Sequence, residues 1–302
     1  MSFLNPVSEP VLMYSSTDAN APQINFAARA AGDVKTVLKA CLVTGYGTKQ
    51  SAGWSIQNET DFVAEFVPPS ALLSDYRLGV SDNSSSATTF YYTYQGTRVN
   101  PTQNNGQSLP KSPANINKNS ANNGWRLIVS AKGVYLITLY QHNYANAVIC
   151  NVTYWGASKD NLIDNGGKNI MFFCLGANTS GYFAFDVLQT QALHAVIAGF
   201  SNVRAMAANL AVINTLLPRN LVTAEIVNSL YLYDATKKQF IAEVPGLLIK
   251  TCNDSSKIFG CYSTMFDNRP VLYVCFGAND SSLAATDQSS FGAYIYLDKW
   301  DY

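Results

Sequence analysis

Residues 33–54 read DVKTVLKACLVTGYGTKQSAGW and contain the best-formed local pattern in the chain. Apolar residues recur in this stretch at the spacing of one helical face, which predicts a short amphipathic helix. These residues are Val34, Val37, Leu38, Cys41 and Leu42. Asp33 is expected to cap the helix, because a carboxylate at that position accepts hydrogen bonds from free N–H groups and faces the positive dipole end. Gly45 follows the last apolar residue, where a left-handed residue commonly ends a helix.

The rest of this stretch predicts a loop followed by an aromatic anchor. Gly47 and Gly53 bracket a turn, and Trp54 opens the next element. In a structural interpretation, the helix packs on a sheet and Trp54 lies in the core. In a functional interpretation, the glycine-rich loop would cradle a phosphate. Phosphate loops read G-x-x-x-x-G-K-[ST] and precede a helix, whereas this loop follows one, so the order of elements favours the structural interpretation.

The composition of the chain predicts a large core beneath a sparsely charged surface. Hydrophobic residues make up 48% of the 302 residues and charged residues only 13%, against about 25% charged residues in a usual soluble domain. Lys and Arg together number 20, as do Asp and Glu, so the formal net charge is +0. A neutral chain lacks the basic surface that nucleic-acid binding needs. It suits a protein that packs against neighbours, since net charge opposes association.

The sequence predicts neither a signal peptide nor a membrane helix. Residues 1–10 lack a basic start with a long apolar run, and no stretch reaches the roughly 18 apolar residues of a membrane span. The six cysteines lie mostly in apolar runs and form no C-x-x-C pair. This usage indicates buried free thiols in a reducing compartment. A bridge between Cys252 and Cys261 stays open as the alternative.

Short strands dominate the sequence, so the predicted fold is mainly β, with β-sandwich-like sheets and one short N-terminal amphipathic helix. Residues 99–124, rich in Asn, Pro and Ser, predict a polar loop or linker between a helix-plus-strands domain, 1–98, and a β-rich domain, 125–302. Residues 186–216 fit either a helix or extended chain. The proline-spaced residues 1–32 could lie along a neighbouring subunit or wrap their own domain. The predicted strands span residues 62–67, 76–80, 88–94, 125–130, 134–140, 148–155, 170–175, 229–233, 240–244, 247–251, 271–276 and 294–297.

Aromatic side chains supply a candidate ligand surface. Tyr91, Tyr92 and Tyr94 lie in the β-forming run TTFYYTY. They could form an exposed ladder, or they could pack on both faces of a strand, which is the commoner arrangement. With Trp155, the ladder would be the surface of a binding module for host glycans, because aromatic faces stack on sugars.

Patterns for catalysis and metal binding are weak. The chain has two histidines, His142 and His194, and no G-x-S-x-G sequence. A glycosidase needs two carboxylates about 5–9.5 Å apart. The nearest pairs in sequence are Asp61 with Glu65 and Asp298 with Asp301. Both pairs read better as solvent-facing residues at strand or chain ends, and residues 160–165 lack the spacing of a calcium loop. We therefore predict no catalytic residue, no cofactor and no metal.

Several short motifs follow one another in a recognisable order. The densest is VLKACLVTGYGTKQSAGW, residues 37–54. The thinner ones are Ser16-Thr17-Asp18, Ala21-Pro22, Tyr76-Arg77-Leu78-Gly79-Val80, Trp125-Arg126-Leu127-Ile128-Val129 with Val134-Tyr135-Leu136, and Val244-Pro245-Gly246-Leu247. In this order the chain resembles a family of virion structural proteins from tailed bacteriophages. It departs from the family at Lys39, where Asp is usual, and at residues 154–157, where an FGD turn is usual.

The resemblance implies a non-catalytic particle component that acts by assembly. Its partners would be further copies of itself and other virion proteins, with no nucleic acid and no membrane. Its location would be the virion, assembled in the host cytoplasm, at the neck, the tail or the head surface. The family has no known catalytic residues, so none is carried over. A glycan-binding module of a tail fibre or head surface, and with less support a polysaccharide depolymerase, are the alternatives.

Overall fold

The described residues form four antiparallel sheets and a single short helix, which confirms the predicted mainly β, β-sandwich-like fold class. This computed structural model describes residues 8–24, 30–83, 88–94, 96–99, 124–142, 147–159, 170–175, 196–197, 203–207, 226–234, 239–252, 260–278 and 290–302. The strands of the first third are β1 (Ser8–Pro10), β2 (Leu12–Ser15), β3 (Ser55–Gln57), β4 (Val63–Val67), β5 (Tyr76–Ser81), β6 (Thr89–Tyr94) and β7 (Thr97–Val99).

The strands of the remaining chain build the two larger sheets. They are β8 (Gly124–Val129), β9 (Gly133–His142), β10 (Ala147–Ala157), β11 (Ile170–Leu175), β12 (Val196–Ile197), β13 (Val203–Ala207), β14 (Ile226–Asp234), β15 (Gln239–Cys252), β16 (Cys261–Phe266), β17 (Arg269–Ala278), β18 (Ser290–Tyr296) and β19 (Lys299–Asp301). Sheet I has the order β3-β4-β5-β6-β7, sheet II β2-β8-β9-β10-β11-β12 and sheet III β13-β14-β15-β18-β17-β16. Strand β10 of sheet II packs against β17 of sheet III.

The single helix, α1, spans Asp33–Lys39 and continues as one π-helical turn over Ala40–Thr44. Gly45 ends it with a φ of 76°. All five residues of the predicted apolar stripe are buried in the main core, so this prediction is confirmed. Lys35, which lies off the stripe, is also buried, and its ammonium donates to the backbone carbonyls of Thr60 and Asp61.

The side-chain cap of α1 differs from the prediction. Gly32 occupies the N-cap position in a left-handed conformation, and the Asp33 carboxylate accepts from a preceding backbone N–H at 2.9 Å. Oδ2 of Asp82 instead accepts from the N–H groups of Val34 at 2.8 Å and Lys35 at 3.3 Å. The prediction that Asp33 caps the helix is therefore wrong, because a buried carboxylate just after β5 already occupies the free N–H groups of the first turn.

The N-terminal segment pairs with one strand from the end of the chain and one from its middle. Strand β1 pairs with β19, and β2 adds to the edge of sheet II beside β8. Residues 8–15 thus join the sheets of their own chain. The indole N–H of Trp54 donates to the carbonyl of Ser130 at 3.2 Å, and one core cluster includes residues from both predicted domains. The division at 99–124 stays a prediction, since residues 100–123 lie outside the described ones.

Several strand predictions need correction. The two strands predicted at 240–244 and 247–251 form one strand, β15, in which Gly246 takes a φ of 66° beneath the indole of Trp300. Strand β16 was not predicted. Within residues 186–216 the structure describes only β12 and β13, both extended, and the rest lies outside the described residues. The hairpin of β8 and β9, predicted at 125–140, is confirmed.

The main core is rich in aromatic rings, which pack on both faces of β10. The ring centroids of Trp54 and Trp155 lie 5.4 Å apart on one face, and Tyr154, next to Trp155 and therefore on the opposite face, packs on Tyr135 at 4.6 Å. Tyr135 meets Trp300 edge to face at 5.0 Å, and the Tyr135 hydroxyl donates to the carbonyl of Pro245 at 2.7 Å. Such pairs add to the stabilisation from buried area. The buried Trp300 therefore fixes the chain end to the core, as the sequence predicted.

Candidate interaction surface

The tyrosine ladder predicted on β6 is buried. Tyr91 is 2% exposed and Tyr92 4%. The Tyr91 ring covers Gly79 on β5, where an added Cβ would lie only 2.0 Å from the ring, and the Arg98 guanidinium lies 3.6 Å from the ring centroid. Burial raises the pKa of Tyr92 to about 12. The side chain of Tyr94 lies outside the described residues. Two-faced strand packing, the second interpretation, is what the structure shows for Tyr91 and Tyr92.

Trp155 is likewise part of the core. Its side chain is 1% exposed and packs on Trp54. The indole N–H of Trp155 and the hydroxyl of Thr138 are buried and have no hydrogen-bond partner among the described residues. Trp155 therefore presents no face to a sugar, and its predicted place on a ligand surface is corrected.

Four of the motifs that carry the family resemblance meet at one junction between α1 and sheet II. The Tyr46 hydroxyl donates to Oδ2 of Asp18 at 2.7 Å, and the same oxygen accepts from the Ser15 N–H at 2.9 Å. The indole of Trp125 packs edge-on against Tyr46 at 6.4 Å and donates to the carbonyl of Pro22 at 3.0 Å. Burial and, to a smaller extent, the hydrogen bond to Asp18 raise the pKa of the Tyr46 hydroxyl. The motif residues thus hold the helix unit to the sheet.

The glycine-rich loop after α1 has a structural role at this junction. Gly47 has a φ of 54°, and an added Cβ would lie 2.6 Å from the carbonyl oxygen of Ala19. Gly45 and Gly53 also have positive φ angles. The N–H groups of Ala52 and Trp54 donate to the carbonyls of Cys41 and Leu42, both at 2.9 Å. The loop therefore folds back to satisfy the last carbonyls of the helix, which supports the structural interpretation.

One member of each carboxylate pair considered for catalysis is held by structural contacts. Glu65 accepts from Asn58 at 2.7 Å and from the Thr93 hydroxyl at 3.0 Å. Asp298 forms two hydrogen bonds with the Arg269 guanidinium, at 2.9 and 2.7 Å, and this contact lowers the pKa of the Asp298 carboxyl. Two-pronged pairs of this kind fix geometry. The Glu65 and Asp298 carboxylates therefore have a structural role, because they hold neighbouring segments of the chain together.

The described residues contain no group of three or more His, Cys, Asp or Glu side chains arranged to hold a metal ion. No helix in the described part of the chain has the length and apolar character to cross a membrane. Cys261 is a free thiol, so the alternative bridge to Cys252 is not formed. Burial raises the pKa of the Cys150 thiol, whereas the contact with Cys150 lowers the pKa of Cys261.

The structure places exposed apolar groups on an unexpected element, the edge strand β16. In the described residues four large hydrophobic side chains are exposed. They are Leu12, Phe62, Tyr262 and Met265. Tyr262, 44% exposed, and Met265, 61% exposed, both lie on β16, the last strand of sheet III. We call residues 261–266, CYSTMF, the β16 edge; it contains no charged residue and no proline.

An aromatic row runs from the β16 edge across the outer face of sheet III, the face turned away from the main core. The Tyr262 ring lies 5.0 Å from Tyr273, which lies 5.7 Å from Tyr294. Phe266 stacks on Tyr294 at 5.0 Å with 19° between the rings. Beyond it, the Arg269 guanidinium covers the Tyr296 ring at 3.7 Å. This outer row forms a second apolar cluster, of which Tyr262 is the exposed end.

The sequence held one signal for this hairpin that the strand prediction missed. Asp267 and Asn268 join β16 to β17 and have φ angles of 49° and 58°. Two central residues with positive φ are typical of a tight hairpin turn, and Asp and Asn tolerate this conformation better than most residues. The Asp267-Asn268 dipeptide therefore indicated a hairpin with one strand before it, CYSTMF, and one strand after it, RPVLYV.

On the β16 edge, backbone groups that bond to nothing in the described part of the chain lie beside exposed apolar side chains. Strand addition uses this combination, since main-chain hydrogen bonds supply affinity and side chains supply specificity. Comparison of the chain with protein-family models, curated proteins and solved structures found no match.

Proposed function

We propose that the protein is a structural component of a tailed-bacteriophage virion that acts by assembly and without catalysis. Its partners are further copies of itself and other virion proteins, and it needs no cofactor. The observation that carries the assembly role is the uncharged β16 edge, with Tyr262 and Met265 exposed on it. An unprotected edge of this kind is a template for pairing with another chain.

The virion assignment rests on the resemblance of residues 37–54 to the phage family. In this structure the same residues form the end of α1, the π-helical turn, the loop after it and the Trp54 anchor, and Leu38, Cys41, Leu42 and Trp54 lie in the main core. The resemblance therefore concerns the scaffold of the molecule. A formal net charge of +0 favours the proposal as well, because weak net charge gives little resistance to dense packing. The neck, the tail and the head surface are all compatible locations.

Gold labelling of intact virions with an antibody against this chain tests the proposal, read by electron microscopy. Label over the head would indicate a decoration protein, and label at the neck or along the tail would indicate a connector or tail component. The matched control is the same antibody after absorption on the purified protein. Virions without label, and without peptides of this chain in mass spectrometry, would overturn the proposal.

A further inference from the structure

The backbone groups of β16 alternate between the two sides of the strand. The N–H of Cys275 donates to the carbonyl of Gly260 at 3.0 Å, which sets the phase of the ladder between β16 and β17. Residues of an antiparallel strand alternate between bonding to one neighbour and facing the other side. The even-numbered residues of β16 therefore bond to β17, and the odd-numbered ones face outward. The outward residues are Cys261, Ser263 and Met265, and nothing in the described part of the chain bonds to their backbone groups.

The other sheet edges in the described residues are less suited to pairing. Strands β3, β7 and β12 have three residues or fewer, and β13 carries Arg204. On β2, the N–H of Ser15 already donates to Asp18. Strand β16, with six residues, is the longest of these edges. Native proteins usually protect an edge with charges, proline or short length, and β16 has none of these.

We propose that the β16 edge pairs antiparallel with the β16 edge of a second copy, around a twofold axis at Thr264. This proposal rests on the assembly role above and names its first interface. In this register Ser263 of one copy lies opposite Met265 of the other, and each such pair exchanges two backbone hydrogen bonds. Four new backbone hydrogen bonds form, and sheet III continues from one copy into the next.

The side chains explain why the partner is a second copy. Two antiparallel edge strands from identical chains require a twofold axis perpendicular to the sheet, so the outer faces of both copies lie on the same side. Tyr262 of each copy then lies opposite Phe266 of the other, in positions where the Cα atoms are only about 4.5 Å apart. Two cross-strand aromatic pairs form, a favourable kind of pair. The two outer aromatic rows become one.

Charge also permits this self-pairing. A twofold axis places a charge at the centre of the edge beside its own copy, so a charged residue there would repel itself. The β16 edge is uncharged. Two guanidiniums lie near it: Arg269 is held by Asp298, and Arg126, whose charge reaches Cys261, donates to the carbonyl of Trp125. Thr264 lies on the axis and meets only its own counterpart. A single charge introduced there would be doubled at the centre of the interface.

The first test measures the mass of the full chain by size-exclusion chromatography with light scattering, at tens of micromolar. We expect twice the chain mass for the wild type and for Thr264→Gln. We expect the mass of one chain for Thr264→Lys, since like charges placed directly opposite destabilise a pair. Circular dichroism confirms that the variants are folded. A wild-type monomer, or a Thr264→Lys protein that stays dimeric, would overturn the proposal.

The second test reads the register directly and does not depend on Thr264→Lys. Two Thr264→Cys copies would bring their Cα atoms within the 4.4–6.8 Å range of a disulfide. Diamide accepts the two electrons and two protons that the thiols release as the S–S bond forms. We expect a crosslinked dimer on a non-reducing gel for Thr264→Cys. Ser263→Cys is the matched control, because its Cα atoms would be about 8 Å apart in this register, and the wild type controls for the native thiols. Equal crosslinking of both variants would overturn the register.

The two proposals fail separately. A chain found on virions that is monomeric in solution would leave the virion role standing and remove the β16 interface. A twofold dimer through Thr264 in a chain that virions lack would leave the interface standing and remove the virion role.

Discussion

Asp82 should contribute more to stability than any other single carboxylate around α1. Its Oδ2 accepts from two N–H groups in the first turn of the helix, and its Oδ1 accepts from the Thr88 hydroxyl at 2.7 Å. Loss of a helix cap costs about 1 kcal/mol. Leaving buried polar groups without a partner costs about 1–3 kcal/mol more. We therefore expect Asp82→Ala to lower the free energy of unfolding by about 2–4 kcal/mol.

Urea unfolding of Asp82→Ala and Asp33→Ala, followed by circular dichroism, tests this expectation. Asp33→Ala is the matched control, because Asp33 lies in the first turn but accepts from no N–H group of the helix. Its loss should cost only about 0.3–1 kcal/mol through the helix dipole. Asp82→Asn should recover part of the stability, since an amide oxygen still accepts. If Asp33→Ala proves the more damaging variant, the assignment of the cap to Asp82 is refuted.

Three further predictions concern packing, pH and thiol chemistry. Gly79→Ala should lower stability by about 1–3 kcal/mol, as overpacking does, because the new methyl group meets the Tyr91 ring; an unchanged urea midpoint would contradict this. The Arg269 contact lowers the pKa of Asp298, so its stabilisation is present above the unfolded-state pKa of about 4 and is lost as pH falls through the folded-state value. Asp298→Asn should therefore cost about 1 kcal/mol at neutral pH and progressively less in acid; a pH-independent difference argues against this. Iodoacetamide should label Cys261, whose pKa is lowered, before the buried Cys150, whose pKa is raised. Peptide mass spectrometry would show the order, and faster labelling of Cys150 would refute the lowered pKa of Cys261.

The apolar pattern of α1 could be predicted because it is local, and its cap could not because it is not. Val34, Val37 and Leu38 repeat at the helical spacing within a few residues of one another, and all are buried. The capping carboxylate lies 48 residues from Val34, and the fold of sheet I brings the two together. Asp33 matched the sequence rule for a cap, yet the close approach of Asp82 decided which carboxylate accepts.

The tyrosines of β6 show a second limit of pattern reasoning. Alternating polar and aromatic residues fit an exposed ladder and a two-faced packing equally well. The choice depends on what lies across each face. Here Gly79 on the neighbouring strand leaves room for the Tyr91 ring, and Arg98 covers its other side. A glycine opposite an aromatic residue is a tertiary arrangement, so the sequence alone left both interpretations open.

The β16 edge shows why the most informative surface was missed. A run such as CYSTMF has no strong alternation, and its importance comes from its position at the end of the order β13-β14-β15-β18-β17-β16, which the sequence does not contain. Once that order is known, the lack of charge on β16 indicates an edge that can pair with another strand. A protein that must stay monomeric protects its longest free edge, usually with lysine or proline. This chain places Tyr262, Thr264 and Phe266 on one face of that edge, in an order that is complementary to itself when the strand is turned by 180°. An edge whose own copy is a matching partner is the arrangement expected of a protein that functions by assembly.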